Sequence, residues 1–141
     1  MKNFKLVPAL FIVFIFLGMR SYTYAQSSPV LYFCEKYDSD LGEIGISDRF
    51  TTGYLTVMVK SNTALGLKNC FIQFDKYNFS TGKFDYYKRF NYTIDPDMKY
   101  VFFAKNKSSD LKFEEPGFYR VYLLNANKET VASSLIEIIP N

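Results

Sequence analysis

Beyond residue 30, apolar and polar side chains alternate in short runs broken by turn residues. The stretch 53–60 is the clearest: Leu55, Val57 and Val59 fall on one side, Tyr54, Thr56 and Lys60 on the other. A period of two is the pattern of a half-buried strand. Similar runs cover 30–37, 70–78, 83–93, 99–104, 117–124 and 130–139, which makes seven predicted strands. No apolar stripe repeats every three to four residues over a helical length. Pro96 places a turn at 94–98, and residues 38–52 and 105–110 read as polar loops.

Two of these runs define a hairpin. Residues 70–78 and 83–93 flank Ser80-Thr81-Gly82. A three-residue loop needs a left-handed backbone at its last position, and Gly82 meets that need. Centring the hairpin there sets Tyr77 opposite Asp85, Asp75 opposite Tyr87 and Gln73 opposite Arg89. On the other face Ile72 meets Phe90 and Cys70 meets Tyr92. Lys76 and Lys88 interrupt that apolar face. Either they snorkel to the sheet edge or a bulge shifts the register. A second hairpin is expected at 125–129, where Asn127 suits a left-handed backbone better than Lys128.

The first 25 residues follow another rule. Lys2 and Lys5 precede an uncharged run, 6–17, and Thr23-Tyr24-Ala25 precedes Gln26. A charged start, a short apolar run and a small residue at the junction are the parts of a signal peptide. The run is shorter than the roughly 20 residues of a membrane span. No cysteine follows it, so a lipoprotein anchor is not supported. The expectation is cleavage after Ala25, a secreted or periplasmic product, no membrane span in that product, and one domain over residues 26–141.

Composition narrows the choice. With 141 residues, 48% of them apolar and 22% charged, the chain suits one folded domain and not a disordered one. The net charge of +3 resides in the leader, whose Lys2, Lys5 and Arg20 have no acidic counterpart. Fourteen basic and fourteen acidic residues remain. A nucleic-acid partner needs a clustered basic surplus, and the densest basic stretch, 83–89, contains Asp85. The chain has no histidine, which excludes Ser-His and Cys-His catalysis and histidine-ligated metals. No enzyme activity, cofactor or metal is expected.

Seven short strands without helical crossovers imply an all-β fold, a single antiparallel β-sandwich. The stretch Glu115-Pro116-Gly117-Phe118-Tyr119-Arg120-Val121 resembles the entry to the sixth strand of immunoglobulin-like domains. The resemblance puts Tyr119 at the corner tyrosine, whose hydroxyl caps nearby backbone, and Val121 where antibody domains carry a cysteine. With no cysteine there and no tryptophan anywhere, the chain is similar to the divergent immunoglobulin-like or fibronectin-like modules of bacterial secreted proteins.

Several groups are candidates for chemistry. Cys34 and Cys70 are the only cysteines, and an exported pair is expected to form a disulfide, with two buried free thiols as the alternative. The bond would close a loop of about 35 residues and contribute about 3–4 kcal/mol. Asp38, Asp40 and Glu43 form an acidic stretch, but the calcium-loop spacing fails at Gly42 and Arg49, so an ordinary loop is expected. With Glu35 these carboxylates define no fixed separation for glycoside hydrolysis. Asn78-Phe-Ser80, Asn91-Tyr-Thr93 and Asn106-Lys-Ser108 match the glycosylation acceptor pattern.

Ten tyrosines and eleven phenylalanines follow residue 25, more than one core needs. Gln73, Asp75, Tyr77, Asp85, Tyr87 and Arg89 share the predicted outward face of the hairpin. Flat rings beside hydrogen-bonding groups suit a sugar or an extended peptide, whereas simple cross-strand pairing would only stabilise the sheet. The function expected is non-catalytic binding of an envelope protein, a peptide or a glycan. The alternatives are a purely structural accessory module and a glycan-binding module using exposed tyrosines.

Overall fold

The computed structural model describes residues 28–105 and 111–141. The expected leader and cleavage site, 1–26, and the Asn106 acceptor lie outside the described residues. The strands are β1 (Val30–Cys34), β2 (Lys36–Asp38), β3 (Gly42–Ile44), β4 (Arg49–Thr51), β5 (Gly53–Tyr54), β6 (Thr56–Lys60), β7 (Asn69–Asn78), β8 (Lys83–Thr93), β9 (Tyr100–Phe103), β10 (Lys112–Phe113), β11 (Gly117–Leu124) and β12 (Thr130–Ile139). All seven predicted runs contain a strand. The extra ones are short and fall mainly in 36–54, where two or three residues show no alternation.

One sheet has the order β1-β6-β9, all antiparallel. The second has the order β4-β12-β11-β7-β8, antiparallel except that β4 runs parallel to β12. The opening segment is thus shared: β1 completes the first sheet and β4 borders the second. Between them the β2–β3 hairpin folds over the outside of the first sheet. A separate β5–β10 pair lies at one end.

Alternation fills the interior. The first sheet contributes Leu31, Phe33, Val57, Val59, Val101 and Phe103; the second contributes Ile72, Phe74, Tyr119, Val121, Ile136 and Ile138. Rings lock the layers across the gap: Phe113 packs edge-on against Phe74 at 4.8 Å and Tyr119 at 5.2 Å, and Tyr92 of β8 packs against Phe103 of β9 at 5.0 Å. The Tyr92 hydroxyl also donates to the Ala104 carbonyl at 3.2 Å.

The expected disulfide does not form. Cys34 and Cys70 are both free and both buried. Parity explains it. Phe33 points into the core, so its neighbour Cys34 points to the outer side of the first sheet, with Tyr32, Thr56 and Met58 beneath the β2–β3 hairpin. Cys70 starts the inward series Cys70, Ile72, Phe74 of β7. The first sheet lies between the two sulfurs.

The β7–β8 hairpin departs from the expected register at its tip. The loop has four residues, Phe79 to Gly82, because Asn78 pairs with Lys83. Asn78 builds the turn: its carbonyl accepts from Gly82 N at 2.8 Å, and its Oδ1 accepts from Ser80 N and Thr81 N. Gly82 takes the left-handed backbone its position demands, with φ 67°. A bulge at Phe74/Asp75, opposite Tyr87, absorbs the extra residue. Beyond it the pairs Gln73–Arg89, Ile72–Phe90 and Cys70–Tyr92 are as the pattern predicts. In the β11–β12 hairpin the left-handed residue is Lys128, φ 66°, not Asn127. Asn125 Oδ1 fixes that loop by accepting from Asn127 N and Glu129 N.

Candidate functional site

The outer face of the five-stranded sheet carries many of the rings that the core does not take up. Tyr119, Val121 and Leu123 of β11 point inward, so Phe118, Arg120 and Tyr122 point out. On β7 the same rule turns out Phe71, Gln73, Asp75 and Tyr77. The bulge decides β8. It turns Tyr87 inward, where its ring meets buried Tyr119 at 5.6 Å. Burial raises the Tyr87 hydroxyl above its ordinary value, helped by Glu115 and Glu114. Tyr86 takes the outward place opposite Asp75 and is 64% exposed.

The six sequence candidates therefore separate. Gln73, Asp75, Tyr77 and Arg89 share the outer face. Gln73 Nε2 donates to Asp75 Oδ1 at 2.9 Å, and the Arg89 guanidinium lies 4.9 Å from the Phe71 ring. Asp85 leaves that face: the bulge pairs it with Lys76 and not with Tyr77, on the inner side of the ribbon, where it stands exposed at the tip and accepts from Asn78 Nδ2 at 2.9 Å. Tyr87 is not on the outward face. In its place come Tyr86, Phe79, Phe84 and Phe118. The sequence carried no mark of the exchange: Lys88, the lysine on the apolar face, pairs with Phe74 with or without the bulge. Lys88 points inward, with its Nζ bound to the Lys112 carbonyl.

The rings form a connected patch at the hairpin end. Tyr77 packs edge-on against Phe79 at 5.0 Å and Phe84 at 5.2 Å, and Phe79 meets Phe118 at 6.3 Å. Arg120 covers Phe84 at 4.7 Å. Phe79 is 73% exposed, and Leu135 adjoins on β12. A shallow hollow of about 260 Å³ lies beside this patch, between Phe118, Leu135 and the Arg49–Glu137 ion pair. Another, of about 470 Å³, lies at the hairpin tip, where Lys76, Asn78, Asp85 and Tyr87 of the ribbon's inner side line it together with Phe79 and Ser80 of the loop.

The acidic stretch serves structure. Asp38 Oδ1 caps its own turn by accepting from Asp40 N and Leu41 N, and those bonds lower its pKa. Glu43 anchors the β2–β3 hairpin onto the first sheet. It accepts from Tyr100, Tyr32 and Lys60, the last at 2.9 Å, and these donors hold its carboxyl at about 2. Lys60 also lies over the Tyr100 ring at 4.7 Å, and Tyr37 stacks on Phe102 at 4.5 Å.

The shared opening segment, the five-stranded order and the corner tyrosine define the class. Tyr119 is fully buried, and its hydroxyl donates to the Glu115 carbonyl at 2.7 Å, as the resemblance implied. The chain is an immunoglobulin-like β-sandwich. Among solved structures it is similar to an immunoglobulin-like protein from Pseudomonas aeruginosa, with 12% identity, a TM-score of 0.47, and coverage of 82% of this chain and 99% of that one. No family model and no curated protein matches the chain.

Proposed function

We propose that this protein is an exported, non-catalytic binding module that engages its partner through the outer face of the five-stranded sheet. One observation carries the reading: Phe79, Tyr86, Phe118 and Leu135 stand 44–73% exposed on one continuous surface while the interior is fully furnished with other rings. Single exposed apolar residues are ordinary; a connected patch rimmed by Arg49, Arg89, Asp75 and Glu137 is the composition of an interface. Export rests on the leader pattern at 1–25. The non-catalytic reading rests on a histidine-free sequence and on carboxylates already engaged in turns and ion pairs, at Asp38, Glu43, Glu115 and Glu137.

The test is site-specific photocrosslinking of exported protein in its native envelope. A photoreactive residue at Tyr86 or Phe118 is expected to yield discrete adducts, and one at exposed Asp97, in the turn before β9, none. Adducts of equal yield at all three positions, or at none, would leave the module as a structural accessory without a ligand.

A further inference from the structure

Resting on the reading that this face binds a partner, we infer that it receives an acidic protein segment, whose carboxylates are held by the guanidinium groups of Arg89 and Arg120. The register decides which charges the face presents. Arg120 stands between Leu135 and Asp75, and Arg89 pairs with Gln73. The lysines of the β7–β8 ribbon, Lys76, Lys83 and Lys88, pair with Asp85, Asn78 and Phe74 and belong to its inner side. The cations on the outer face of these strands are therefore arginines. Arg49 is paired with Glu137. Asp75 lies directly opposite Arg120, yet it accepts from Gln73, and the Arg120 guanidinium reaches across β7 to lie 4.7 Å from the Phe84 ring of β8. Arg89 reaches the other way, from β8 to the Phe71 ring of β7, at 4.9 Å. Among the described residues neither guanidinium joins a hydrogen bond or an ion pair.

A ring beneath a guanidinium takes up one of its flat faces and leaves the N–H donors at its edge. That planar fork meets a carboxylate with two parallel bonds. Held on a ring, the fork has little freedom left to lose on binding. Spacing selects the occupant. Phe84 pairs with Tyr77, and Phe71 stands six positions earlier on β7, so the two forks are about 20 Å apart. Asp75 lies between them, and Glu137 borders Phe118. A polyanion, charged at every unit, would set like charge against both carboxylates and would cover the apolar Phe79–Phe118 patch with charge. Residues 26–141 carry as many acidic as basic groups, so no overall field draws such a polymer in. A protein segment can place a carboxylate at each fork. Between them it can lay apolar and hydrogen-bonding groups on Tyr86, Gln73 and Tyr122.

Random peptides of about twelve residues, twice the span between the forks, are displayed on phage and selected on the purified protein. Enriched sequences are expected to carry aspartate and glutamate in excess of the library. Their synthetic forms should bind about tenfold more weakly to Arg89→Gln and to Arg120→Gln. Lys83→Gln, on the inner side of the same ribbon, should bind them as the parent does. Amide spectra establish that each variant is folded. Enriched sequences without acidic excess, or acidic ones indifferent to both arginine variants, would overturn the inference. So would tighter, arginine-dependent binding of an oligogalacturonate, or a dimer of the protein itself that Phe118→Asp dissociates. Neutral peptides lost on Tyr86→Ala or Phe118→Ala would overturn the acidic partner and leave the binding face standing. A selection that enriches nothing beyond what the Tyr86→Ala, Phe118→Ala double variant enriches would remove the face as well.

Discussion

Tyr119 ties the interior to the backbone with a single hydroxyl. Its ring is fully buried between Phe113 and Tyr87, and burial drives the phenol far above its ordinary pKa, so it remains a neutral donor. The acceptor belongs to Glu115, which is exposed, so removing the hydroxyl leaves a carbonyl that water can reach. Tyr119→Phe is therefore expected to cost about 1 kcal/mol and not the larger penalty of a sealed orphan. Urea unfolding should show a lower midpoint with an unchanged slope. This residue was legible in the sequence because Pro116, Gly117 and Tyr119 stand at fixed offsets. Gly82 was legible for the same kind of reason, since few residues accept a left-handed turn position. Lys128 was not: the two Asn125 bonds that hold its loop outweigh the propensity of its neighbour Asn127.

At the scale of the element, the β2–β3 hairpin is the part most dependent on electrostatics. It covers Cys34, Thr56 and Met58 with the Tyr37 ring stacked on Phe102, and Glu43 fastens it through Tyr100, Tyr32 and Lys60. The folded carboxyl titrates at about 2 against an ordinary value of 4.5, so as the pH falls the unfolded chain takes up the proton first. The stabilisation from Glu43 is complete above 4.5 and drains away between there and about 2. Glu43→Gln should flatten the fall of the urea midpoint across that window, with a residual slope from Asp38, whose pKa is also lowered. Hydrogen exchange at residues 32–34 should quicken in the variant.

Long strands were legible because alternation over eight or more residues has one reading. The strands β2 to β5 were not, because two or three residues carry no period. The candidate face was half legible. Gln73, Asp75, Tyr77 and Arg89 followed from parity, but one bulged residue exchanged Tyr87 for Tyr86 and nothing local to those two tyrosines distinguishes them.

For the whole molecule, the two sheets determine what the cysteines can do. An even cysteine count in an exported chain suggests a bridge, yet the first sheet separates Cys34 from Cys70. Burial pushes the Cys70 thiol up to about 11 and raises Cys34 as well, with Glu43 adding to the latter. Both are expected to resist a thiol reagent at pH 8 in the native state and to react stoichiometrically once unfolded. Reductant should leave the unfolding midpoint where it is; a drop would mean that the sulfurs are joined and the first sheet is built differently.

The parallel pairing of β4 with β12 also bears on how the molecule carries load. Glu137 N binds the Asp48 carbonyl at 2.8 Å, and Thr52 N binds that of Ile139 at 3.2 Å. Tension pulling residue 28 away from residue 141 would first load β1 against β6, and once passed on to β4 it would slide β4 and β12 lengthwise past each other. Their bonds would be strained together and not peeled open singly, so the joint that closes this edge of the domain also braces it against traction between its ends.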